Sequence, residues 1–457
     1  MKTNKKHRIF LIALNANLAN FAFGTCLGWS SPIIPKLKST KEENLGNPLK
    51  FPIGSEEEGW IASIITLGSL CSCIIGGPLG GFIGRKWCLV ASSLLLSASF
   101  VLMMIANKVS VIYFGRTLQG LGGGLIVTNL PLYVGEIATD DVRGALGSLM
   151  ALNLLAGIIY VYCIGPYVSF FALQWFCIAI PILCLVTFML LPESPYFFAT
   201  KGMRSEAIKS LKFLRGKEES EVEEEMDKIK THVDEEMSRK GKLTDIFLIK
   251  GYRKALIICC GLLALQQLTG TSVITFNSQS IFSSAKSTLD PAVSTIILGV
   301  VQMLSNLLTP FVVERTGRKI VLLISACGMC VTLVALGAFF YIQAYGNATS
   351  IKWLPVPALV LFNVLYSFGF GPLPWALLGE ILPVNIKPIG TSIACAVSFI
   401  TGFVVTRFFP SLNALGPYYA FWIFGSMCIV AVFFVIFVMI ETKGLSLQKI
   451  QEKLHSS

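Results

Sequence analysis

Long apolar stretches separated by short polar connections dominate the chain. Each stretch has about 20 residues, the length a helix needs to cross roughly 30 Å of hydrocarbon. The pattern therefore predicts an all-α membrane protein with twelve transmembrane helices. The predicted spans are 10–31, 58–82, 88–106, 111–134, 146–165, 170–191, 255–277, 292–312, 320–342, 354–378, 389–410 and 418–440.

One connection, 192–254, is much longer than the others and is strongly charged. Ala207, Leu211 and Leu214 recur in it at helical spacing, which predicts short amphipathic helices lying against the membrane face. No nucleotide, metal or catalytic pattern occurs in this segment. The predicted domains are an N-terminal six-helix half at 1–191, a cytosolic helical linker at 192–254, a C-terminal six-helix half at 255–442 and a cytosolic tail at 443–457.

Lys and Arg are distributed unevenly between the two sides of the membrane. If the N-terminus is cytosolic, the inside connections hold 28 of the 37 cations and the outside connections hold seven, with Arg116 and Arg407 inside spans. Cytosolic loops carry the excess of cations in membrane proteins, so both termini are predicted to be cytosolic. The Asn347-Ala348-Thr349 sequon then falls outside, where Asn347 is a candidate glycosylation site.

The composition changes this picture little. Of the 457 residues, 54% are hydrophobic and 14% are charged, whereas a soluble domain has about 25% charged residues. The net charge of +11 does not indicate nucleic-acid binding, because the cations lie in the connections and form no basic stripe interleaved with aromatic residues. Most of the 13 cysteines lie inside apolar segments and are interpreted as packing residues. All three histidines lie outside the spans, which argues against a Cys/His zinc site. No metal site, cofactor or enzymatic constellation is predicted.

Three short motifs recur at equivalent places in the two halves. The pairs are GFIGRK at 81–86 and ERTGRK at 314–319; Glu136 with Arg143 and Glu380 with Lys387, each an acid and a base seven residues apart; and PESP at 192–195 and ETKG at 441–444. The repeat indicates two six-helix halves in tandem. Parallel halves of this kind build secondary transporters with a binding site near the midplane between them.

These motifs resemble the sugar porter family of the major facilitator superfamily over nearly the whole chain. The matching signatures are GR at 115–116, QG at 119–120, Pro131, Tyr133, the acid and base pairs, PESP at 192–195, QQLTG at 266–270, GP at 371–372, PW at 374–375 and ETKGLSL at 441–447. Within the family, GGPL at 76–79 looks most like the insect facilitated trehalose transporters. The resemblance implies the major facilitator fold and sugar transport by alternating access.

A sugar site needs amides for the hydroxyl groups and an aromatic surface for the ring. Gln266 and Gln267 are adjacent amides in the middle of span 7, where an unpaired amide is costly. Trp375 follows Gly371 and Pro372, which are predicted to break span 10 and open a cavity. By resemblance, Gln266, Gln267 and Trp375 match sugar-contacting positions of the family. The secondary candidates are Asn277, Gln302 and Asn363.

Several pocket positions depart from the family pattern. They are Ala151, Thr271, Ser272, Phe276, Gln302, Ser367, Ser398, Phe399 and Gly402. The departures imply a larger pocket with fewer amides than in the hexose carriers. Such a pocket has room for a disaccharide such as trehalose. The same departures are equally compatible with a different polyol as cargo, or with loss of sugar binding.

A proton-driven carrier needs an ionisable group within a span. Span 1 contains no Asp or Glu, and by resemblance Cys26 stands where the family's symporters have an acid. The chain is therefore predicted to be a facilitator of the plasma membrane. The alternatives are a proton-coupled sugar symporter and a sugar sensor that does not transport. The predicted partners are a small sugar and the lipid bilayer, and the oligomeric state is left open.

Ion pairs between the cytosolic ends of the two halves are expected to gate the carrier. They would favour the outward-open state and break as the halves rock, with an energy small enough to keep both states populated. The candidate residues are Arg85, Glu136, Arg143, Glu193, Glu314, Arg318, Glu380, Lys387 and Glu441.

Overall fold

The computed structural model describes residues 2–39, 46–49, 51–139, 142–238, 248–383, 385–445 and 447–456. In these ranges the chain consists of α-helices and short connections, without a β-strand. The helices are α1 (Lys2–Gly28), α2 (Ser30–Lys38), α3 (Ser55–Ile83), α4 (Arg85–Met104), α5 (Val109–Ile137), α6 (Arg143–Ile164), α7 (Phe170–Leu190), α8 (Pro195–Thr200), α9 (Arg204–Arg215), α10 (Glu219–Ser238), α11 (Lys250–Leu268), α12 (Thr271–Ala285), α13 (Pro291–Thr316), α14 (Arg318–Tyr345), α15 (Pro355–Phe368), α16 (Leu373–Ile381), α17 (Lys387–Leu415), α18 (Pro417–Phe437) and α19 (Leu447–Ser456).

Eleven helical segments of the described chain are long and apolar enough to cross a membrane. The twelfth predicted span is α5, which carries Arg116 and Glu136 and packs against α3 and α4. Its 29 residues extend for about 44 Å, which is ample for a crossing. The all-α membrane architecture with twelve spans is confirmed. Below, the face that carries α8–α10 is called cytosolic, after the charge-based prediction.

Three of the spans are each divided into two helices, although the backbone of span 1 stays helical at the division. Span 1 is divided between α1 and α2 at Trp29, and span 7 between α11 and α12 at Gly270, whose φ of +83° is left-handed. Span 10 is divided between Phe368 and Leu373, where the sequence predicts a break. The predicted ends at 31 and 277 are too early, because the helices run on to Lys38 and Ala285. The polar residues in these extensions, such as Lys36 and Ser278, are buried within the protein. Their polarity therefore does not mark the end of the helix, as the sequence-based boundaries assumed.

The buried apolar side chains form two large clusters. One belongs to α1–α7 and reaches Leu214 of the linker and Phe276 of α12, and the other belongs to α11–α19. A third, small cluster lies within α9 and α10 and includes Ala207, Leu211 and Val222. The amphipathic helices predicted for the linker are therefore present, and they share a core with one another.

The repeated glycine turn has the same structure in both halves. Gly84 between α3 and α4 has φ +105°, and Gly317 between α13 and α14 has φ +99°. In the first half, Glu193 accepts the backbone N–H groups of Arg85 and Lys86, each at 3.1 Å. In the second half, Glu441 accepts those of Arg318 at 3.1 Å and Lys319 at 2.9 Å. Each carboxylate thus caps a helix N-terminus, where the helix dipole favours negative charge.

The two capping carboxylates differ in their titration. Burial raises the pKa of Glu193, although backbone N–H donors partly oppose the shift. Burial acts in the same direction on Glu441, but the N–H groups around its turn outweigh it and the pKa is lowered. Because the folded pKa of Glu441 is lowered, its contribution to stability is present above the unfolded pKa and is lost as the pH falls through the folded value. The folded pKa of Glu193 is raised, so its contribution to stability is present below the unfolded pKa and is lost as the pH rises through the folded value.

We expect Gly84→Ala to destabilise the first half by roughly 1–3 kcal/mol, because only glycine readily adopts this φ. A Cβ at this position also points into the Glu193 carboxylate. The measurement is the thermal stability of the purified protein in detergent. The matched control is Gly81→Ala on the same helix, where no atom lies within 4 Å of an added Cβ. Equal stability of the two variants would contradict the role of the turn.

Candidate functional site

The two halves are joined at their outer ends. The Ser31 and Ser278 hydroxyls of α2 and α12 are hydrogen-bonded at 2.9 Å, and the Gln279 backbone N–H donates to Ser31 at 3.2 Å. The Tyr162 hydroxyl of α6 donates to the Thr275 carbonyl of α12 at 2.6 Å. These contacts hold the outer ends of the halves together, whereas no ion pair among the described residues joins the halves at the cytosolic end. We therefore describe the arrangement as inward-facing.

Arg407 contributes a further contact between the halves at the outer end of α17. Its guanidinium forms an ion pair with Glu56 of α3 at 3.2 Å and lies over the Trp60 ring at 4.9 Å. Trp60 in turn packs against Phe403 of α17, with ring centroids 5.8 Å apart. We call Glu56, Trp60, Phe403 and Arg407 the outer latch. Arg407 is one of the two cations predicted to lie within a span, and the sequence predicts no partner for it.

Gln266 is bound to the break in span 10. Its Nε2 donates to the carbonyls of Phe370 at 2.5 Å and Gly371 at 2.8 Å, which the unwound backbone leaves without helical partners. The Tyr366 hydroxyl lies beside Gln266 and Thr271. The Gln266 side chain is 1% exposed, and its Oε1 has no hydrogen-bond partner among the described residues. Gln266 therefore both stabilises the break and presents an unpaired acceptor.

Gln267 links three helices at the break in span 7. Its Nε2 donates to the Ser398 hydroxyl of α17 at 3.2 Å, and its Oε1 accepts from the Ser272 hydroxyl of α12 at 2.6 Å. A Cβ at Gly402 would lie 3.3 Å from the same Oε1. The side chain is half-buried, unlike that of Gln266. Ser272, Ser398 and Gly402, three of the departures from the family pattern, thus surround one predicted amide.

The structure places the other predicted sugar-site residues differently. Trp375 lies on α16 beyond the break, and 38% of its surface is exposed. Asn277 is buried at a kink in α12, and its Oδ1 has no partner in the described chain. Asn363 is 4% exposed on α15, one turn from Ser367, whose hydroxyl also has no partner there. Gln302 is half-buried on α13. Gln266 and Gln267 are adjacent in sequence but bind different neighbours: Gln266 binds the break in span 10, and Gln267 binds Ser272 and Ser398.

Arg116 is a fully buried cation whose bonded acceptors are all neutral. It donates to the Cys26 carbonyl at 2.6 Å, the Gln119 side chain at 2.7 Å, the Ile61 carbonyl at 3.1 Å and the Ser30 hydroxyl at 3.1 Å. The four acceptors come from spans 1, 2 and 4. A buried cation is usually paired with an acid, and hydrogen bonds take that role here.

In this arrangement the predicted cytosolic residues form ion pairs within their own half; the pairs expected between the halves belong to the outward-open state. Arg85 pairs with Glu136 at 3.0 Å, and Glu136 also accepts from the Ser194 hydroxyl. In the second half, Arg318 pairs with Glu380 at 3.1 Å, and Glu380 accepts from the Thr442 hydroxyl at 2.6 Å. The physical reason is that each cation follows the turn that its own half's closing motif caps.

The remaining gating candidates are not part of these triads. Lys387 donates to the Gly379 carbonyl at 3.0 Å within the C-terminal half. Glu314 is exposed and has no ion pair with a residue that the structure describes. The Arg143 side chain lies outside the described part of the chain. Ser194 and Thr442 are partners that the sequence did not predict, although each follows a capping glutamate directly.

Comparisons with known proteins agree with this arrangement. A family model described as "Sugar (and other) transporter" matches residues 12–454. The facilitated trehalose transporter of Apis mellifera ligustica is 35% identical over 446 residues, covering 97% of this chain and 87% of that protein. The one from Anopheles gambiae is 37% identical over 447 residues, and the match covers 97% of this chain but only 56% of that longer protein.

Solved transporter structures share the fold. The xylose transporter of E. coli in an inward-open conformation aligns with a TM-score of 0.80 and 23% identity, covering 97% of this chain and 99% of the other. The proton:xylose symporter bound to 6-bromo-6-deoxy-D-glucose aligns with a TM-score of 0.77 and 23% identity, covering 98% and 100%. At this identity the likeness concerns the fold.

Proposed function

The chain belongs to the sugar transporter family, and from this premise we propose that it carries trehalose or a hexose across the plasma membrane by facilitated diffusion. The halves would alternate around a site near the midplane, opening first to one side and then to the other. The curated relatives named above are facilitated trehalose transporters, which favours trehalose as the first sugar to test.

The observation that carries the proposal is the pair of amides at the helix breaks. Gln266 offers an unpaired Oε1, and Gln267 makes only exchangeable hydrogen bonds to the hydroxyls of Ser272 and Ser398. Sugar hydroxyls resemble those serine hydroxyls as donors and acceptors, so they replace them without leaving a buried amide unsatisfied. The exposed ring of Trp375 supplies an apolar surface on the neighbouring span. Asn277, Gln302 and Asn363 remain secondary sugar-site candidates.

Arg116 supports facilitation rather than proton coupling. A proton-coupled carrier needs an in-span acid that charges and discharges during the cycle. Here the buried cation beside the division of span 1 is held by two carbonyls, an amide and a hydroxyl, and Cys26 contributes its backbone oxygen. None of these acceptors is an acid. We therefore propose transport that does not depend on a proton gradient.

The proposal is tested by uptake of labelled trehalose and labelled glucose into oocytes that express the chain. Saturable uptake of either sugar, with competition by the unlabelled form and no change between two external pH values, identifies the cargo class. Water-injected oocytes provide the background. Absence of uptake of both sugars despite surface expression would contradict the proposal.

The cytosolic residues complete the proposal. Arg85, Glu136, Arg318 and Glu380 hold the ends of their own halves in this structure, and we propose that they meet across the halves when the cytosolic side closes. Glu193, Glu441, Glu314, Lys387 and Arg143 belong to the same proposed gate. The domain boundaries at 191, 254 and 442 are part of the proposal, as are cytosolic termini and the absence of enzymatic activity.

Glycosylation of Asn347 provides a test of the orientation. Asn347 Oδ1 accepts from the Thr349 backbone N–H at 3.0 Å and from its hydroxyl, in an exposed turn after α14. We expect an endoglycosidase to increase the gel mobility of the chain made in eukaryotic cells, and Asn347→Gln to remove this shift. Asn385→Gln on the opposite face is the control that leaves the shift intact. A glycan that persists in Asn347→Gln would contradict this assignment.

A further inference from the structure

Two buried cysteines from opposite halves meet between α3 and α17. The Cys73 thiol lies beside the Cys395 thiol and beside Thr128 of α5. Their exposed fractions are 5% and 4%, and both are free thiols. Neither residue takes part in the sugar site or the ion pairs described above.

The register of the two helices places this pair independently of the thiol contact. Near the outer end, a Cβ at Gly59 of α3 would lie 2.6 Å from the Arg407 carbonyl of α17. Cys73 follows Gly59 by 14 residues and Cys395 precedes Arg407 by 12, so at 1.5 Å per residue the antiparallel helices advance about 21 and 18 Å. The two cysteines therefore lie at nearly the same depth, on the cytosolic side of the middle of both helices.

The pair lies where the contact between the halves ends. Gly77 and Gly81 follow Cys73 by one and two turns, on the same face of α3 and toward the cytosolic side. No atom lies within 4 Å of a Cβ added at either glycine. The face of α3 that contacts α17 at Cys73 thus runs into open space within one turn. Protein therefore does not cover this face of α3 on the cytosolic side of the pair.

We propose that Cys73 and Cys395 form an oxidisable thiol pair whose disulfide holds the carrier in the inward-facing arrangement. Hydrogen peroxide is the oxidant: one thiol attacks the peroxide, giving a sulfenic acid and water, and the other thiol displaces a second water to form the S–S bond. The two sulfurs lose two electrons and the peroxide is reduced to two waters. Because α3 and α17 belong to different halves, the bond restrains their relative movement at the inner limit of their contact.

The test uses the full chain with a protease site inserted in segment 239–247, in a version that retains uptake. After treatment with peroxide and cleavage, a bond between the halves keeps both fragments in one band on a non-reducing gel, and dithiothreitol separates them. Cys73→Ser and Cys395→Ser should each abolish the joined band. Cys71→Ser, at an exposed position on the same helix, is the matched control and should keep it.

Transport is measured on the same cells. We expect peroxide to remove most uptake by the unaltered chain and by Cys71→Ser, dithiothreitol to restore it, and both serine variants of the pair to resist the loss. Two separate bands after peroxide in the unaltered chain would overturn the proposed bond. A joined band with unchanged uptake would show that the disulfide does not hold the carrier in one arrangement, and would overturn that part of the proposal. The band assay does not depend on which sugar is carried, so its failure is distinguishable from failure of the proposed function.

Discussion

Gln267→Ala should reduce sugar uptake by roughly 5- to 150-fold, which corresponds to about 1–3 kcal/mol for a lost buried hydrogen-bonding group. The change removes the amide that joins α11 to Ser272 of α12 and Ser398 of α17. Each serine hydroxyl can then bond to a carbonyl one turn back in its own helix, so the fold tolerates the change better than transport does. Initial uptake rates over a range of sugar concentrations give the loss, normalised to surface expression.

The matched control is Gln343→Ala in the same half. Gln343 is half-exposed on α14 and donates weakly to the carbonyls of Ser284 and Ala285 at 3.2 and 3.3 Å. Uptake by this variant should equal that of the unaltered chain. If Gln267→Ala also transports normally at equal surface density, Gln267 does not contact the sugar.

Arg407→Gln should shift the carrier from the inward-facing toward the outward-facing arrangement by about 5- to 30-fold, or roughly 1–2 kcal/mol. Most of this comes from the cation–π contact with Trp60, because an exposed ion pair contributes little. The Glu56 side chain is 80% exposed, so the variant leaves no buried charge unpaired. Each half keeps its own core, whereas the contact across the halves is lost.

Hydrogen–deuterium exchange of the purified carrier measures this shift. The outer ends of α2 and α12, joined by Ser31 and Ser278, should exchange faster in Arg407→Gln than in the unaltered chain. Lys108→Gln removes the same charge from an exposed position on the same face and should leave exchange unchanged. Unchanged exchange in both variants would show that the outer latch does not favour the inward-facing arrangement.

The spans were predictable because each needs about 20 apolar residues, a local property of the sequence. The break in span 10 was also predictable from a local signal, because Gly371 and Pro372 both disfavour a continuous helix. The break at Gly270 has no such signal, since a single glycine in an apolar helix is common in membrane proteins. That Gln266 binds the carbonyls of Phe370 and Gly371 depends on the packing of two helices about 100 residues apart in sequence.

Contacts between distant segments could not be read from the sequence. The repeat places acids and bases at the cytosolic ends, but it does not say whether Arg85 meets Glu136 of its own half or its counterpart Glu380 in this arrangement. The closing motifs decide it, because Glu193 and Ser194 bring Arg85 and Glu136 together within one half. The outer latch joins residues 351 positions apart, and no local pattern marks Glu56 as the partner of Arg407.

The central claim is that the chain moves sugar down its gradient by alternating access, independently of protons. Its most direct test measures the final internal concentration of labelled trehalose in proteoliposomes that contain the purified chain. The measurement is made in the presence and in the absence of an inward proton gradient, and it is repeated with labelled glucose. The account predicts that the internal concentration rises to the external concentration and stops there in both conditions. Accumulation above the external concentration under the proton gradient, or saturable binding without entry of either sugar, would contradict it.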